Sequence, residues 1–331
     1  MKESGLQIIE IEITNRCNLN CKHCYNDKKS ISSFQPSKVL ELIDSISSLG
    51  THRLAFTGGE PLLDKNIFDY AQYAKDKKIP EIVLLTNGTL LKRFPIKKIK
   101  LFDSIQLSID VPPKSKSHLR EDYNLLLIEN IKYLKKNNIK VTLQATLHRS
   151  LIPLLSDLND FSKEMDLKIG INTLIPIGNA KELKEELLSS EEMKDALTEI
   201  SKLKNLNPLM SCSIPLFFLV DDKQKKYLQT KLGENRIVGG CSAGISSMYI
   251  ASNGDVLACP FLKKSVSNVF EENLEEIWYN NPILNKLRER DFSGKCKSCK
   301  YILCCGGCRA FSLISQNDLF GSDESCWFKN E

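Results

Sequence analysis

The sequence lacks an export signal, a membrane-spanning segment and a block of charge of one sign. The N-terminal residues 1–5 have no apolar segment of the kind found in secretion signals. No apolar run approaches the roughly 20 residues of a membrane-spanning helix. Lys and Arg exceed Asp and Glu by 46 minus 41, or +5, but these charges are dispersed. We therefore predict a cytoplasmic globular protein that binds neither membranes nor nucleic acid, since a nucleic-acid groove needs clustered charge.

Cysteine, in contrast, is abundant, with 12 residues in a chain of 331. That number would suit the disulfide scaffold of an exported protein, but the missing export signal favours metal ligation in a reducing compartment. The length and the 42% content of hydrophobic residues are sufficient for one large domain and one smaller domain.

The first group of cysteines is Cys17, Cys21 and Cys24, which directly follows an apolar run at residues 8–13. On a loop that leaves a strand, three cysteines with gaps of three and two residues can ligate three irons of a 4Fe–4S cluster. The fourth iron then has no protein ligand, so it can bind a small molecule and transfer an electron to it. The alternatives are a disulfide, buried cysteines, or a zinc site with His23 as the fourth ligand.

From residue 6 to about 175, short β-branched runs alternate with longer segments of helical period. This alternation predicts an α/β fold of parallel strands joined by helices, in which six units form an open, partial barrel. The predicted strands are residues 7–13, 53–57, 81–86, 104–108, 140–146 and 168–172. The predicted helices include residues 37–49, 67–77, 122–137 and 154–165.

The cysteine spacing, with Tyr25 after it, resembles the signature of radical S-adenosylmethionine (radical SAM) enzymes. The resemblance implies a partial (β/α)6 TIM-like barrel in which Cys17, Cys21 and Cys24 hold the cluster and the open iron binds SAM. His23 stands where the family usually has an aromatic residue, close to the adenine.

Four predicted strand ends carry residues similar to SAM-binding motifs of that family, at the edge where parallel α/β folds bind ligands. Each motif alone is compatible with an ordinary turn or helix cap. The resemblance implies that one motif hydrogen-bonds the methionyl ammonium, that Asn87 lies close to SAM, that Ser108 and Asp110 bind the ribose diol, and that backbone near Pro176 pairs with the adenine. The ammonium motif comprises Gly58, Gly59, Glu60 and Pro61.

A helix is predicted from Ser190, as its cap, to about residue 203, and the segment 205–208 then interrupts the helical pattern. We therefore expect a radical SAM core at residues 1–204 and a cysteine-rich domain at 205–331, with a short strand at 248–251. A zinc ribbon would explain two to four of the cysteines in this tail, but not seven.

The tail resembles the SPASM extension of radical SAM enzymes, a small α+β domain that holds one or two auxiliary iron–sulfur clusters. The family's pattern of ligands implies clusters of the 4Fe–4S type. The resemblance implies two ligand groups. The outer group is Cys296, Cys299, Cys305 and Cys326, and the inner group is Cys241, Cys259 and Cys308. Cys304 is an alternative to Cys305, because it restores the gap of three residues that is frequent in the family.

Two 4Fe–4S clusters need eight ligands, so the seven expected here leave one iron of the inner cluster without a cysteine. That iron is a site for a substrate thiolate, for a ligand other than cysteine, or for one of the spare cysteines, Cys212 and Cys304. Cys212 is a candidate ligand, a candidate hydrogen-atom donor, or a small buried residue.

The resemblance implies that SAM is cleaved reductively to a 5'-deoxyadenosyl radical, which abstracts a hydrogen atom from the substrate. It favours a peptide or protein side chain, such as that of a ribosomal precursor peptide, which is cross-linked, epimerised or oxidised. One expectation speaks against a peptide: the few residues before the first predicted strand leave no room for the leader-binding domain that some such enzymes carry. The Cys-Gly-Gly-Cys-Arg-Ala segment also resembles enzymes that modify tetrapyrrole side chains, which gives a second hypothesis.

A third hypothesis is a non-catalytic iron–sulfur electron carrier. Glu60, Ser108 and Asp110 argue against it, since electron transfer alone needs no SAM pocket. For the enzyme we expect a reducing partner such as flavodoxin or ferredoxin.

Overall fold

The computed structural model describes residues 5–26, 31–120, 124–208, 214–231 and 236–329. These ranges contain one ten-stranded sheet, in the order β10-β9-β8-β1-β2-β3-β4-β5-β6-β7. Strands β1 to β7 pair in parallel, which confirms the α/β expectation. The strands are β1 Ile8–Thr14, β2 Arg53–Gly58, β3 Glu81–Thr86, β4 Ser104–Ser108, β5 Lys140–Leu147, β6 Ile169–Thr173, β7 Leu206–Asn207, β8 Ser247–Ile250, β9 Asp255–Leu257 and β10 Ser267–Asn268.

Helices join the parallel strands and also occur in the tail. They are α1 Pro36–Ser48, α2 Ile67–Asp76, α3 Ile96–Ile99, α4 Asn124–Lys136, α5 Leu155–Glu164, α6 Ser190–Lys202, α7 Asp222–Gln229, α8 Leu274–Asn280, α9 Pro282–Glu289, α10 Gly294–Lys297 and α11 Arg309–Gln316. Helix α1 shows why they pack on the sheet: its buried residues Val39, Leu42, Ile43 and Ile46 recur at spacings of three and four, which places them on one face. Among the described residues, no helix has the length and apolar composition that crossing a bilayer requires.

The six strands predicted from the sequence are confirmed, with ends that differ by one residue at most. The predicted cap of α6 is wrong by one position. Ser189 is the cap: its Oγ accepts a hydrogen bond from Glu192 N at 3.2 Å, and the Glu192 carboxylate accepts one from Ser189 N at 2.8 Å. This reciprocal pair satisfies two backbone N–H groups at the helix start and needs a spacing of three residues between the cap and the Glu. Ser190 is only two residues from Glu192.

The sheet continues across the domain boundary expected at residue 204. The segment 205–208, read from the sequence as a break, contains β7, which pairs with β6. At the other side of the sheet, β8 pairs in parallel with β1. The division into 1–204 and 205–331 thus remains a prediction, and the two parts contribute strands to one sheet.

Strand β1 separates the two environments that position the site. Ile9, Ile11 and Ile13 are fully buried on one face. Glu10 and Glu12 lie on the other face, because side chains alternate along a strand. Strands β8 and β2 flank them, with Glu10 opposite Tyr249 on β8.

Candidate active site

The loop that leaves β1 carries Cys17, Cys21 and Cys24, and all three thiols are half-buried. Cys17 Sγ accepts a hydrogen bond from Leu19 N at 3.4 Å, and Asn87 Nδ2 lies 3.9 Å from the same sulfur. Burial raises the pKa of Cys21 to about 11. The Cys21 thiolate therefore needs a bound cation to persist at neutral pH, as in a metal-ligand bond.

Two glycines at the end of β2 let the cysteine loop approach the sheet. A Cβ atom on Gly58 would lie 2.3 Å from Thr14 O, and one on Gly59 would lie 2.2 Å from Arg16 O. The short distances accompany backbone hydrogen bonds from Gly59 N to Thr14 O at 2.7 Å and from Glu60 N to Arg16 O at 2.8 Å. The glycines therefore hold the loop against β2, a role that sequence reasoning did not assign to them.

A second close approach joins the same loop to the segment after β6. Gly178 has a φ of +56°, and a Cβ there would lie 2.4 Å from Tyr25 O. The neighbouring Asn179 donates from its backbone N to Cys24 O at 2.9 Å and from Nδ2 to Cys21 O at 3.0 Å. Pro176, which was predicted near the adenine, is half-buried two residues before this contact.

Glu60 is fully buried between the ends of β2 and β3. Its Oε1 accepts hydrogen bonds from Leu62 N at 3.1 Å and Thr86 Oγ1 at 2.7 Å, and its Oε2 accepts one from Asn87 N at 2.9 Å. Burial raises the pKa of Glu60, although the three hydrogen bonds act to lower it. The carboxylate thus fixes the end of β3, including Asn87, and Pro61 begins the short turn Pro61–Leu63 that follows.

Asp110, after β4, is connected to the cysteine loop through Arg120, a residue that sequence reasoning missed. Arg120 Nε lies 3.0 Å from Asp110 Oδ2, and Arg120 Nη2 lies 2.9 Å from Asp110 Oδ1. The same Nη2 lies 3.2 Å from His23 Nε2, and Ser117 Oγ donates to Asp110 at 3.2 Å. Burial opposes ionisation, yet Arg120 and His23 hold the pKa of Asp110 below its ordinary value. Ser108, at the end of β4, is half-buried.

His23 is the one member of this group with an unsatisfied atom. Burial lowers its pKa to about 4, so the imidazole is neutral at pH 7. Its Nδ1 is buried and has no hydrogen-bond partner among the described residues. A buried polar atom without a partner is costly, and a ligand group is one way to satisfy it.

In the tail, Cys241, Cys259 and Cys308 line one apolar cavity, with Phe261 and Phe311 among its walls. Each of the three sulfurs faces a backbone N–H two or three residues further on. These pairs are Cys241 with Ala243, Cys259 with Phe261 at 3.4 Å, and Cys308 with Phe311. The structure thus brings these three cysteines to one cavity, and their role as the inner ligand set remains a prediction.

The outer ligand set shows the same pattern. Cys299 faces Tyr301 N, Cys326 faces Phe328 N, and Cys305 Sγ accepts from Gly307 N at 3.3 Å. Cys296 completes the set, with its sulfur 4.0 Å from Arg309 Nη2. For the buried Cys304, the charged neighbours are Arg290 and Cys299. The sulfur of Cys305 thus has a backbone N–H donor, as the sulfurs of Cys299 and Cys326 do. Cys212 lies outside the described residues.

Two buried arginines, which sequence reasoning did not select, lie beside the tail cysteines. Arg309 is 2% exposed and donates to Gly321 O at 2.8 Å. Arg290 is 3% exposed, and its guanidinium donates to Gly239 O at 2.6 Å. Both side chains can balance the negative charge of thiolate ligands. Arg309 belongs to the Cys-Gly-Gly-Cys-Arg-Ala segment, which was the signal available in the sequence.

The two cysteine regions are linked by Glu12 on β1. Its Oε1 accepts from Asn26 Nδ2 at 2.9 Å, at the end of the cysteine loop, and its Oε2 accepts from Ser252 N at 3.1 Å, after β8. Among the described residues, no three His, Cys, Asp or Glu side chains are close enough to share one metal ion. That finding concerns sites with a single ion. The thiolates of a cluster bind separate irons, so they lie farther apart than the ligands of one zinc ion do.

Comparison with known proteins bears on both cysteine regions. The model of the radical SAM superfamily matches residues 11–160, and the model of SPASM, an iron–sulfur cluster-binding domain, matches residues 241–300. The chain is 25% identical to the AdoMet-dependent heme synthase of Methanosarcina barkeri over 98% of this chain and 97% of that protein. It is 25% identical to the mycofactocin maturase MftC of Mycobacterium ulcerans over 95% of this chain and 86% of that protein.

Among solved structures, Streptococcus suis SuiB bound to its precursor peptide SuiA superposes with a TM-score of 0.77 at 19% identity, covering 98% of this chain and 76% of that chain. This superposition shows the same fold, and the match to the radical SAM model identifies the class as that of the radical SAM enzymes. The chain belongs, more narrowly, to the radical SAM enzymes that carry a SPASM region, as its sequence resemblance implied. These two regions imply a 4Fe–4S cluster, SAM and auxiliary iron–sulfur clusters.

Proposed function

We propose that Cys17, Cys21 and Cys24 hold the 4Fe–4S cluster and that the adjacent strand ends hold SAM. The observation that carries this proposal is the convergence of four strand ends on one cysteine loop, through the contacts of Gly59, Asn87, Asp110 and Gly178. The donor set fits the group, because the three thiols are on one loop and Cys17 already accepts an N–H bond. When bound and reduced, the cluster and SAM supply the one-electron chemistry that removes a hydrogen atom from an unactivated carbon.

The protein residues position and orient the reactants. Glu60 holds the end of β3, so that the Asn87 amide faces Cys17. Arg120 fixes the Asp110 carboxylate, which we propose as the ribose acceptor together with Ser108. His23 offers Nδ1, whose hydrogen-bonding capacity is unused among the described residues. In the tail, we propose that Cys305 rather than Cys304 is the ligand of the outer cluster.

For the substrate we propose a tetrapyrrole that carries carboxylate side chains. The supporting observation is the similarity to a heme synthase along nearly the whole length of both proteins. The second candidate is a peptide or protein side chain, such as that of a ribosomal precursor peptide. Its support is the equal identity, 25%, to a mycofactocin maturase. We further propose that a cytoplasmic flavodoxin or ferredoxin supplies the electrons.

Mass analysis after anaerobic turnover tests the choice of substrate. Enzyme with SAM and a reductant is offered iron coproporphyrin III, a tetrapyrrole with four carboxylates, or synthetic peptides encoded by short reading frames beside the coding sequence. A change in the mass of the tetrapyrrole side chains is expected. An unchanged tetrapyrrole together with a modified peptide would contradict this proposal and favour the second candidate.

A further inference from the structure

We propose that Lys114, Lys116 and His118, in the loop between β4 and α4, form a binding site for carboxylate groups of the substrate. The same loop carries Asp110, Ser117 and Arg120 of the proposed SAM site, but Lys114, Lys116 and His118 have no part in the account of the clusters or SAM. The inference rests on the proposed function in one respect: the carboxylates are taken to be those of a tetrapyrrole.

The loop lies across the edge of the sheet where the candidate active site is. Leu119 O accepts a hydrogen bond from Lys22 N, in the cysteine loop, at 2.7 Å. Its neighbour His118 reaches the segment after β6, where its Nε2 lies 2.8 Å from Glu186 Oε1. The loop therefore extends from the cysteine loop to the turn Lys184–Glu186, at the C-terminal ends of β4 to β6.

Burial along the loop alternates from residue to residue. Lys114, Lys116 and His118 are exposed, whereas Ser115 and Ser117 between them are half-buried. Among the described residues, neither lysine forms an ion pair, although many other lysines of this chain do. In the described part of the chain these two exposed ammonium groups thus have no acidic partner, and they lie beside the active-site edge. A charged hydrogen bond from lysine is well suited to a carboxylate.

His118 is held in one orientation by Glu186. The Glu186 carboxylate also accepts from Ser150 Oγ at 2.6 Å, Ser150 N at 2.9 Å and His148 Nδ1 at 3.0 Å. Burial opposes ionisation of Glu186, but these bonds hold its pKa at about 2, so the group is a carboxylate at neutral pH. Since Glu186 can only accept, His118 must carry its proton on Nε2.

The edge of the His118 ring that points away from Glu186 is accessible to a ligand. The side chain is 52% exposed, and its ring meets His148 edge to face at 6.2 Å between centroids. His148 is 3% exposed and burial lowers its pKa, which makes it a neutral support for Glu186. The His118 ring therefore presents its Nδ1 edge away from Glu186, and in the protonated form that edge donates to a carboxylate.

The spacing suits a ligand with more than one acidic group. Residues two apart along a chain are separated by at most about 7 Å between Cα atoms. The three side chains are thus distributed along the loop rather than gathered at one point. A tetrapyrrole with several carboxylate arms can engage them together, while a single carboxylate engages one.

Equilibrium binding of coproporphyrin III to the anaerobic holoenzyme with SAM, followed by the fluorescence of the porphyrin, tests the proposal. The first variant carries Lys114→Gln and Lys116→Gln, and the second carries His118→Gln. Both should fold, because the lysines are exposed and Glu186 keeps its bonds from Ser150 and His148. We expect the Kd to rise about tenfold or more in the double variant, since each lost charged hydrogen bond is worth on the order of 1 kcal/mol.

The matched control carries Lys132→Gln and Lys136→Gln, two exposed lysines of α4. Its Kd should equal that of the unmodified enzyme, and the tetramethyl ester of coproporphyrin III should show the same Kd with all variants. Equal binding of coproporphyrin III by the double variant and the unmodified enzyme would overturn the site but leave the tetrapyrrole substrate standing. No binding to the unmodified enzyme would overturn both.

Discussion

At the scale of single residues, buried acids determine how the candidate active site is arranged. Glu60 and Asp110 were predicted as SAM contacts because the segments that carry them, at predicted strand ends, resemble SAM-binding motifs of radical SAM enzymes. In the structure both carboxylates also have protein partners: Glu60 accepts three hydrogen bonds, and Asp110 faces Arg120 through two nitrogen atoms. Arg120 could not be predicted, because it lies in an irregular loop whose path carries no periodic signal.

Glu60→Gln should destabilise the protein at pH 8 by about 1–3 kcal/mol. The Gln amide group cannot accept at both positions, so one donor among Leu62 N, Thr86 Oγ1 and Asn87 N is left buried without an acceptor. Urea unfolding of the anaerobic protein measures this change. The control is Glu41→Gln on exposed helix surface, where under about 0.5 kcal/mol is expected. Stability equal to that of the unmodified protein would contradict the role of Glu60 in fixing the end of β3.

Glu10 should make stability depend on pH. Burial raises its pKa to about 7, with Arg53 opposing, whereas the ordinary value is 4.5. Between these values the folded protein keeps a proton that the unfolded chain has lost, so stability falls as pH rises from about 4.5 to about 7. The total change is at most about 3.5 kcal/mol, since one pKa unit corresponds to about 1.4 kcal/mol.

Glu10→Gln removes the titrating group, so the fall in stability between pH 5.5 and 8 should be smaller than in the unmodified protein. Urea unfolding at several pH values measures the difference between the two proteins, which cancels other titrating groups. Glu191→Gln, exposed on α6, should reproduce the unmodified pH profile. If the stability of Glu10→Gln and of the unmodified protein changed with pH in parallel, the pKa of Glu10 in the folded protein would be close to its ordinary value.

At the scale of elements, the strands that could be predicted are the long ones. Strands β1 to β6 have five to eight residues, enough for β-branched runs to stand out from the helices between them. Strand β7 has two residues, too few for any pattern, so its segment was interpreted as a break. The strand at 248–251 was expected, but its pairing with β1 was not, because register between distant segments depends on packing of the whole sheet.

Gly178→Ala should weaken the contact between the segment after β6 and the cysteine loop. The new Cβ would lie 2.4 Å from Tyr25 O and would displace the loop that holds the three thiols. Two measurements after anaerobic reconstitution test the effect. The iron content should fall, and the Kd for SAM should rise.

Gly50→Ala is the control, because Gly50 also has a positive φ, +67°, but nothing lies within 4 Å of its Cβ position. Both variants carry the backbone strain of about 1 kcal/mol, so only the close contact differs between them. Full iron content and unchanged SAM affinity in Gly178→Ala would contradict the role given to this glycine.

At the scale of the whole molecule, the two cysteine regions are connected through β1. The cysteine loop leaves its C-terminal end, β8 of the tail pairs along its side, and Glu12 bonds to Asn26 and Ser252. The sequence predicted both regions from cysteine spacing but treated them as separate domains. Their connection could not be inferred from the sequence. In the alternating pattern of β1, nothing distinguishes Glu12 from a polar residue that faces solvent.

The release of 5'-deoxyadenosine from SAM under reducing, anaerobic conditions tests the central claim most directly. The account predicts release by the unmodified enzyme and by Cys299→Ala, whose substitution lies in the outer tail group, and none by Cys21→Ala. Iron content measured on the same samples shows whether each variant holds its remaining clusters. Equal release by Cys21→Ala and the unmodified enzyme, or no release by the unmodified enzyme with its clusters assembled, would contradict the assignment of the cysteine loop as the SAM-cleaving site.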